Sequence, residues 1–277
     1  MPGGPGRLAI VGSLSRDRID GGKPRVGGGS FHCARALRAL GHRAVIVTRS
    51  AAEDRRELLT PLVSLGLPVR WRPGGTTAAF AIDHPSDEGE RRMVVQAVAD
   101  PWTPADVRGW VGEAIADAAW VHAAALTRGD FSAETLAELG RGRRLSLDGQ
   151  GLARAASVGP LVLDADFDPE LLRHVSVLKL SEEEAAALGV EPDDRSLRDL
   201  GVGEVLVTLG SRGCVVHAGG TTERVPAALV PPPAHATGAG DAFAAAYVAS
   251  RAGGAPPVAA ARRATMLVAD LLSGRLG

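Results

Sequence analysis

Toward the C-terminus the chain reads ATGAGDAFAAAYVASRAGG, residues 236–254, and the start of this stretch has the residue types for handling an anion and a proton. Gly238, Ala239 and Gly240 lead into Asp241, and the segment from Ala242 to Ala249 holds strong helix formers with no breaker before Gly253. A helix that starts close to Gly240 turns its unsatisfied first N–H groups back toward Gly238 and Ala239. Glycines there let a ligand approach the backbone, so the turn suits a phosphate or the negative charge developing on one. Asp241 stands beside that anion, where a carboxylate can accept a proton. The same residues also read as a plain turn into a helix with Asp241 an ordinary first-turn acid, so the rest of the chain has to decide.

Other groups fall at the ends of strand-like runs or the starts of helices. The apolar run at residues 8–12 continues into SLSRD, which puts Asp17 just past the end of a first strand, where it could hold an acceptor hydroxyl. Residues 27–41, GGGSFHCARALRALG, form a glycine cluster opening an amphipathic helix; this is not GxGxxG after a strand, so a dinucleotide fingerprint is not indicated. Ser181 and Glu184 have capping-box spacing, which accounts for them without any function. VLVTLGSRG, residues 205–213, runs a strand into a glycine turn containing Thr208, Gly210 and Gly213. In LDGQGLAR, residues 147–154, Asp148, Gln150 and Arg154 lie at a strand's carboxyl end, either as a polar surface turn or as part of a site.

These groups need a frame. Short runs rich in Val, Ile and Leu recur at 8–12, 44–48, 119–123, 145–148, 175–180 and 205–210, and helical patterns separate several of them. Buried strands alternating with helices predict an α/β fold, a central and mostly parallel sheet with helices on both faces. Such sheets bind ligands at the carboxyl ends of their strands. Residues 76–98 break the rhythm and read as a β-hairpin with a polar turn centred on 85–89, a small lid over a site. Only nine residues separate Asp17 from Gly27, so residues 17–27 add a short piece and 76–98 makes up most of the lid. No repeat or linker divides the chain, which predicts one domain over residues 1–277.

Taken in order, these elements resemble the PfkB carbohydrate kinases of the ribokinase-like superfamily, over nearly the whole chain and most specifically at ATGAGDAF, residues 236–243. The resemblance implies an ATP-dependent kinase that phosphorylates a hydroxyl of a small sugar or polyol. A nucleoside kinase of the same fold, or a non-catalytic nucleotide- or sugar-binding regulator, is the alternative. By the family pattern, Gly238, Ala239 and Gly240 are the anion hole and Asp241 is the base. Asp17 and Gly28 match acceptor-binding positions, and His32 stands where a substrate-contacting asparagine is common. The stretch around Asp148 and Gln150 is similar to one in inositol- and sugar-kinase-like members, which gives both a site-lining role. Thr208, Gly210 and Gly213 match the nucleotide side. Glu184 matches the glutamate of an Asn-x-x-Glu motif associated indirectly with Mg²⁺, with Ser181 in place of the asparagine. His235 and Ala236 replace the Asp-Thr that usually opens the GAGD motif. In many members that aspartate helps to bind K⁺, for which an imidazole is a poor ligand, so Mg²⁺ is expected and K⁺ activation is not.

Composition removes several other classes. With 31 Lys+Arg against 32 Asp+Glu and 4% aromatic residues, the sequence has no sign of a surface for nucleic acid or an anionic membrane. Cys33 and Cys214 are far apart and lack metal-ligand spacing, so neither a disulfide framework nor a zinc site is indicated. The N-terminus has no signal pattern, and no run approaches the roughly 18–20 apolar residues of a membrane span. A cytoplasmic protein is expected, and a homodimer paired through the lid hairpin is left open.

Overall fold

The computed structural model describes residues 7–84, 92–229 and 237–275. Its first strand shows why the sheet forms where it does. Leu8 and Ile10 enter one apolar cluster while Ala9 and Val11 enter another, each at most 1% exposed. Alternation with both sides buried is the pattern of a strand covered by helices on both faces.

In chain order the strands are β1 (Arg7–Val11), β2 (Ser15–Ile19), β3 (Arg25–Gly27), β4 (Ala44–Ala51), β5 (Val69–Gly74), β6 (Ala78–Asp83) and β7 (Arg92–Ala97). They continue as β8 (Ala118–Ala123), β9 (Arg144–Asp148), β10 (Gly159–Pro160), β11 (Val177–Ser181), β12 (Glu204–Thr208), β13 (Cys214–Ala218) and β14 (Thr221–Val225). Nine of them form one sheet in the order β14-β13-β12-β11-β9-β8-β1-β4-β5. From β5 to β12 every pairing is parallel, and β13 and β14 close one edge as an antiparallel hairpin. The α/β architecture expected from the sequence is the one observed.

Helices Gly29–Ala39, Ala239–Ala252 and Pro257–Leu272 cover one face, and shorter ones including Ala133–Gly140, Glu182–Ala187 and Asp194–Asp199 cover the other. Helix Ala239–Ala252 is buried without interruption from Asp241 to Ala249, as a helix that is apolar all round should be. Its alanines let Gly29–Ala39 and Pro257–Leu272 pack closely on either side. Near its far end Tyr247 donates to Glu204 at 2.6 Å and the Arg251 guanidinium pairs with the same carboxylate, tying the helix to the start of β12.

The second sheet is larger than the sequence suggests. It has five strands in the order β10-β7-β6-β2-β3. Asp17 lies past the end of β1 as read, but within a strand of the lid: the chain turns after Val11 and Asp17 is the middle of β2, which pairs in parallel with β6 and antiparallel with β3. The hairpin arms β6 and β7 pair antiparallel as read, and their turn at 85–89 lies outside the described residues. Ala78, Phe80, Ile82 and Val95 form the lid's own small core with Leu126.

Candidate active site

The two sheets face each other across a cavity of about 390 Å³ at the carboxyl ends of the large sheet's strands. β1 sits between β8 and β4, with the chain running outward on both sides of it, so the cavity opens where the strand order reverses.

At the lid end Ser15 Oγ donates to Asp17 Oδ1 at 2.7 Å and sets the carboxyl orientation. The other oxygen, Oδ2, fills the space that a side chain on Gly27 would need. Gly28 has φ +91°, and a Cβ there would meet the Ser13 carbonyl at 2.6 Å, so only glycine fits. A Cβ on Gly29 would lie 3.2 Å from Asp241 Oδ1. Three successive glycines thus run from one carboxylate to the other, and Gly28 and Gly29 border the cavity.

Gly238 begins the glycine turn in the left-handed region at φ +80°, and its missing side chain makes room for the His32 ring. Helix Ala239–Ala252 then starts at once, and Asp241 falls in its first turn, 8% exposed. Cys33 Sγ lies 3.4 Å from the Asp241 carbonyl and joins this turn to helix Gly29–Ala39.

On the far side stands Lys179 of β11. It pairs with Asp148 of β9 at 3.4 Å, directly across the parallel register. Burial pushes the Lys179 ammonium toward losing its proton, but Asp148, Glu184 and Asp241 outweigh that and raise its pKa. Burial lifts the Asp148 pKa above the usual carboxylate range while Lys179 pulls it back down. Ser181 and Glu184 form a complete capping box: the Ser181 N–H donates to Glu184 Oε2 at 2.8 Å, and the Glu184 N–H donates to Ser181 Oγ at 3.2 Å. Burial raises the Glu184 carboxyl, yet Lys179, Arg154 and the Ser181 donors more than reverse this and hold it low. Arg154 reaches Glu184 at 3.6 Å and Met93 of the lid at 4.0 Å, spanning the two sheets.

Asp17, Gly28, His32, Gln150, Glu184, Thr208, Gly210, Gly238, Gly240 and Asp241 all border this cavity. Three other candidates do not. Asp148 is 0% exposed and stands behind Lys179, so it meets the lysine and not the cavity. Gly213, at φ +91°, serves the close approach of its turn to the Val225 carbonyl. Ala239 borders a separate hollow of about 110 Å³ behind the glycine turn, which shares His32 with the main cavity. Thr208 Oγ1 donates to the Leu180 carbonyl at 3.2 Å, and Arg212 after it pairs with Glu182, so the Gly210 turn is fastened to the capping-box helix. His235 and Ala236 lie outside the described residues.

Sequence reasoning passed over Lys179, although a lysine inside the apolar run VSVLKL is itself a signal. Charges are almost never buried unless paired.

Over residues 23–269 the sequence matches the pfkB family of carbohydrate kinases. The chain belongs to that family and is a phosphotransferase acting on a hydroxyl group. No match was found among the curated proteins. Solved structures similar to it include a pyrophosphate-dependent kinase of the ribokinase family, complexed with a pyrophosphate analog and myo-inositol. That structure is 23% identical with a TM-score of 0.78, and the match covers 98% of this chain and 94% of that one. Arabidopsis thaliana ribokinase with ribose and ATP is 19% identical, with a TM-score of 0.73 and coverage of 96% and 92%. Burkholderia thailandensis nucleoside kinase with inosine is 22% identical, with a TM-score of 0.72 and coverage of 96% and 91%. At these identities the likeness is one of fold.

Proposed function

We propose that this protein transfers the γ-phosphoryl group of ATP to a hydroxyl of a small sugar or polyol. Asp241 is the general base, and the backbone of Gly238, Ala239 and Gly240 receives the charge on the phosphoryl oxygens. The observation that carries this reading is the pair of carboxylates, Asp17 and Asp241, bordering one cavity at the carboxyl ends of the strands. A hydroxyl compound held by Asp17 presents a second hydroxyl to Asp241, beside the helix start where the phosphoryl group arrives. The acceptor oxygen bonds to phosphorus as the bond from phosphorus to the donor oxygen breaks, whose electron pair leaves with the donor. The hydroxyl proton passes to Asp241.

The lid adds apolar surface from Phe80, Ile82 and Met93, and Leu126 completes that wall. A neutral acceptor with an apolar ring face and several hydroxyls matches a wall of this kind opposite a carboxylate. Thr208, Gly210 and Ser211 border the other end of the cavity, where the donor would lie.

Among the described residues no three His, Cys, Asp or Glu side chains come close enough to hold a metal ion by themselves. The residues fit Mg²⁺ only as an ion carried on the donor phosphates, with Glu184 held in place behind it. In that position it would neutralise phosphate charge.

The test is an assay of donor consumption with ATP and with inorganic pyrophosphate, each against free sugars, cyclic polyols and nucleosides. ATP-dependent turnover of a sugar or polyol is expected. Turnover with pyrophosphate alone would replace the donor while leaving Asp241 in its role, and turnover of nucleosides alone would replace the acceptor class. Binding without turnover of any acceptor would make the protein a regulator.

A further inference from the structure

We propose that Lys179 is a catalytic residue of the phosphoryl transfer, its ammonium contacting the oxygens of the group in transit beside Gly240. This rests on the kinase reading above and adds a charge that neither the anion turn nor Asp241 supplies.

Lys179 occupies a strand whose neighbours Val177, Leu178 and Leu180 are 0% exposed, and it is itself 3% exposed while still bordering the cavity. Leaving an ammonium in such a place costs free energy that an apolar side chain of the same length would avoid. The chain keeps the charge and supplies a fully buried counter-ion, Asp148, at 3.4 Å. An ammonium has three N–H donors, and among the described residues Asp148 is its one hydrogen-bond partner.

The ammonium packs against the anion turn: a Cβ added to Gly240 would lie 2.9 Å from Nζ. Lys179 and Gly240 border the same cavity, so the ammonium and the helix start line it side by side. A phosphoryl oxygen bound there meets the backbone N–H groups and the ammonium together. The surrounding charges point the same way: Asp148, Glu184 and Asp241 act on Lys179, and without its ammonium an incoming phosphate would meet the carboxylates of this wall with one cation fewer to offset them.

Lys179 takes no proton in the step. The hydroxyl proton goes to Asp241, the electron pair of the broken bond leaves with the donor, and the ammonium stays charged from start to finish. Asp148 is the positioning residue that holds it.

The experiment uses the full chain and the donor and acceptor on which the wild type turns over fastest in the assay above. Lys179→Met is expected to lower kcat by roughly 10²–10³-fold, the scale for losing one transition-state charge contact, and to change the acceptor KM by less than about 3-fold. Lys179→Arg is expected to retain part of the lost turnover. Because Lys179→Met leaves Asp148 buried and unpaired, its melting temperature is read alongside. If it unfolds, the Asp148→Asn/Lys179→Met double variant removes both charges, restores the fold and is expected to show the same loss in kcat. A folded variant, single or double, that turns over at the wild-type rate overturns the proposal and leaves the kinase reading standing. A wild type inactive with every donor and acceptor overturns both.

Discussion

The two sheets meet at the cavity with opposite chemistry. On the large sheet's side Lys179, Glu184 and Asp241 are charged and no more than 8% exposed, each set in a wall packed from behind by helices. On the lid's side Phe80, Ile82 and Met93 present apolar surface, and among the described residues Asp17 is the one carboxylate that borders the cavity from those strands. The lid sheet has a small core on one face, and Val94 on β7 remains 37% exposed. The difference follows from what each side must hold. Opposed charges stay dry and fixed only inside a dense, rigid frame, whereas covering an acceptor needs apolar area and one oriented acceptor group.

Substitutions on the two sides should therefore fail in different ways. Asp241→Asn is expected to give the largest effect, a fall in kcat of roughly 10²–10⁴-fold with donor affinity little changed, measured by steady-state kinetics and donor binding. Near-normal turnover would remove Asp241 from the mechanism. Gly240→Val should come next, at about 10²-fold, and should damage donor KM and kcat together. A side chain there intrudes to 2.9 Å from Lys179 Nζ; unchanged kinetics would mean that the turn is structural only.

On the lid side, Asp17→Asn keeps an oxygen for Ser15 but removes the charge. Acceptor KM is expected to rise about 10- to 100-fold while donor KM stays put, in line with roughly 1.5–3 kcal/mol for a hydrogen bond to a charged group. An equal rise in donor KM would erase the division between the two ends. Replacing K⁺ by a bulky organic cation at matched ionic strength should change initial rates less than 2-fold, roughly the limit for a site with no K⁺ requirement. A several-fold stimulation specific to K⁺ would contradict the reading of His235.

The smallest expected effect concerns the loop that carries Leu126. Asp130 accepts from the Leu126 N–H at 2.8 Å and from Thr127 Oγ1 at 3.0 Å, and burial raises its pKa to about 6. The folded protein thus holds this proton more tightly than the unfolded chain does. The stability it contributes is full below about pH 4 and declines as pH rises through about 6. The melting-temperature advantage of the wild type over Asp130→Asn should be larger at about pH 5 than at about pH 7.5, by a few degrees. An equal advantage at both would show that Asp130 ionises as in the unfolded chain.

Much of this arrangement was legible in the residues. The glycine turn before Asp241 could be placed because glycine spacing and helix propensity act locally, and the helix does begin at Ala239, next to Gly240. The buried strands were visible because their apolar runs are continuous. β5, by contrast, reads VRWRPG, with a charged residue at every second position and a proline, and as an edge strand it is only half buried. The lid was underestimated because β2 is SRDRI, a polar stretch that becomes a strand only by pairing with β6 some sixty residues later.

The sequence by itself determined the alternation of strand and helix, the position of the glycine turn that precedes Asp241, and the Ser181–Glu184 cap, since each depends on residues within a few positions of one another. Only the tertiary structure decided that Asp148 belongs to Lys179, 31 residues away, and that Asp17 and Asp241 border one cavity. It also assigned Gly213 to a turn against Val225, away from the cavity. Those pairings arise from parallel register and from the order in which strands enter a sheet. Both are fixed by the burial of the whole core, which no short stretch of chain encodes.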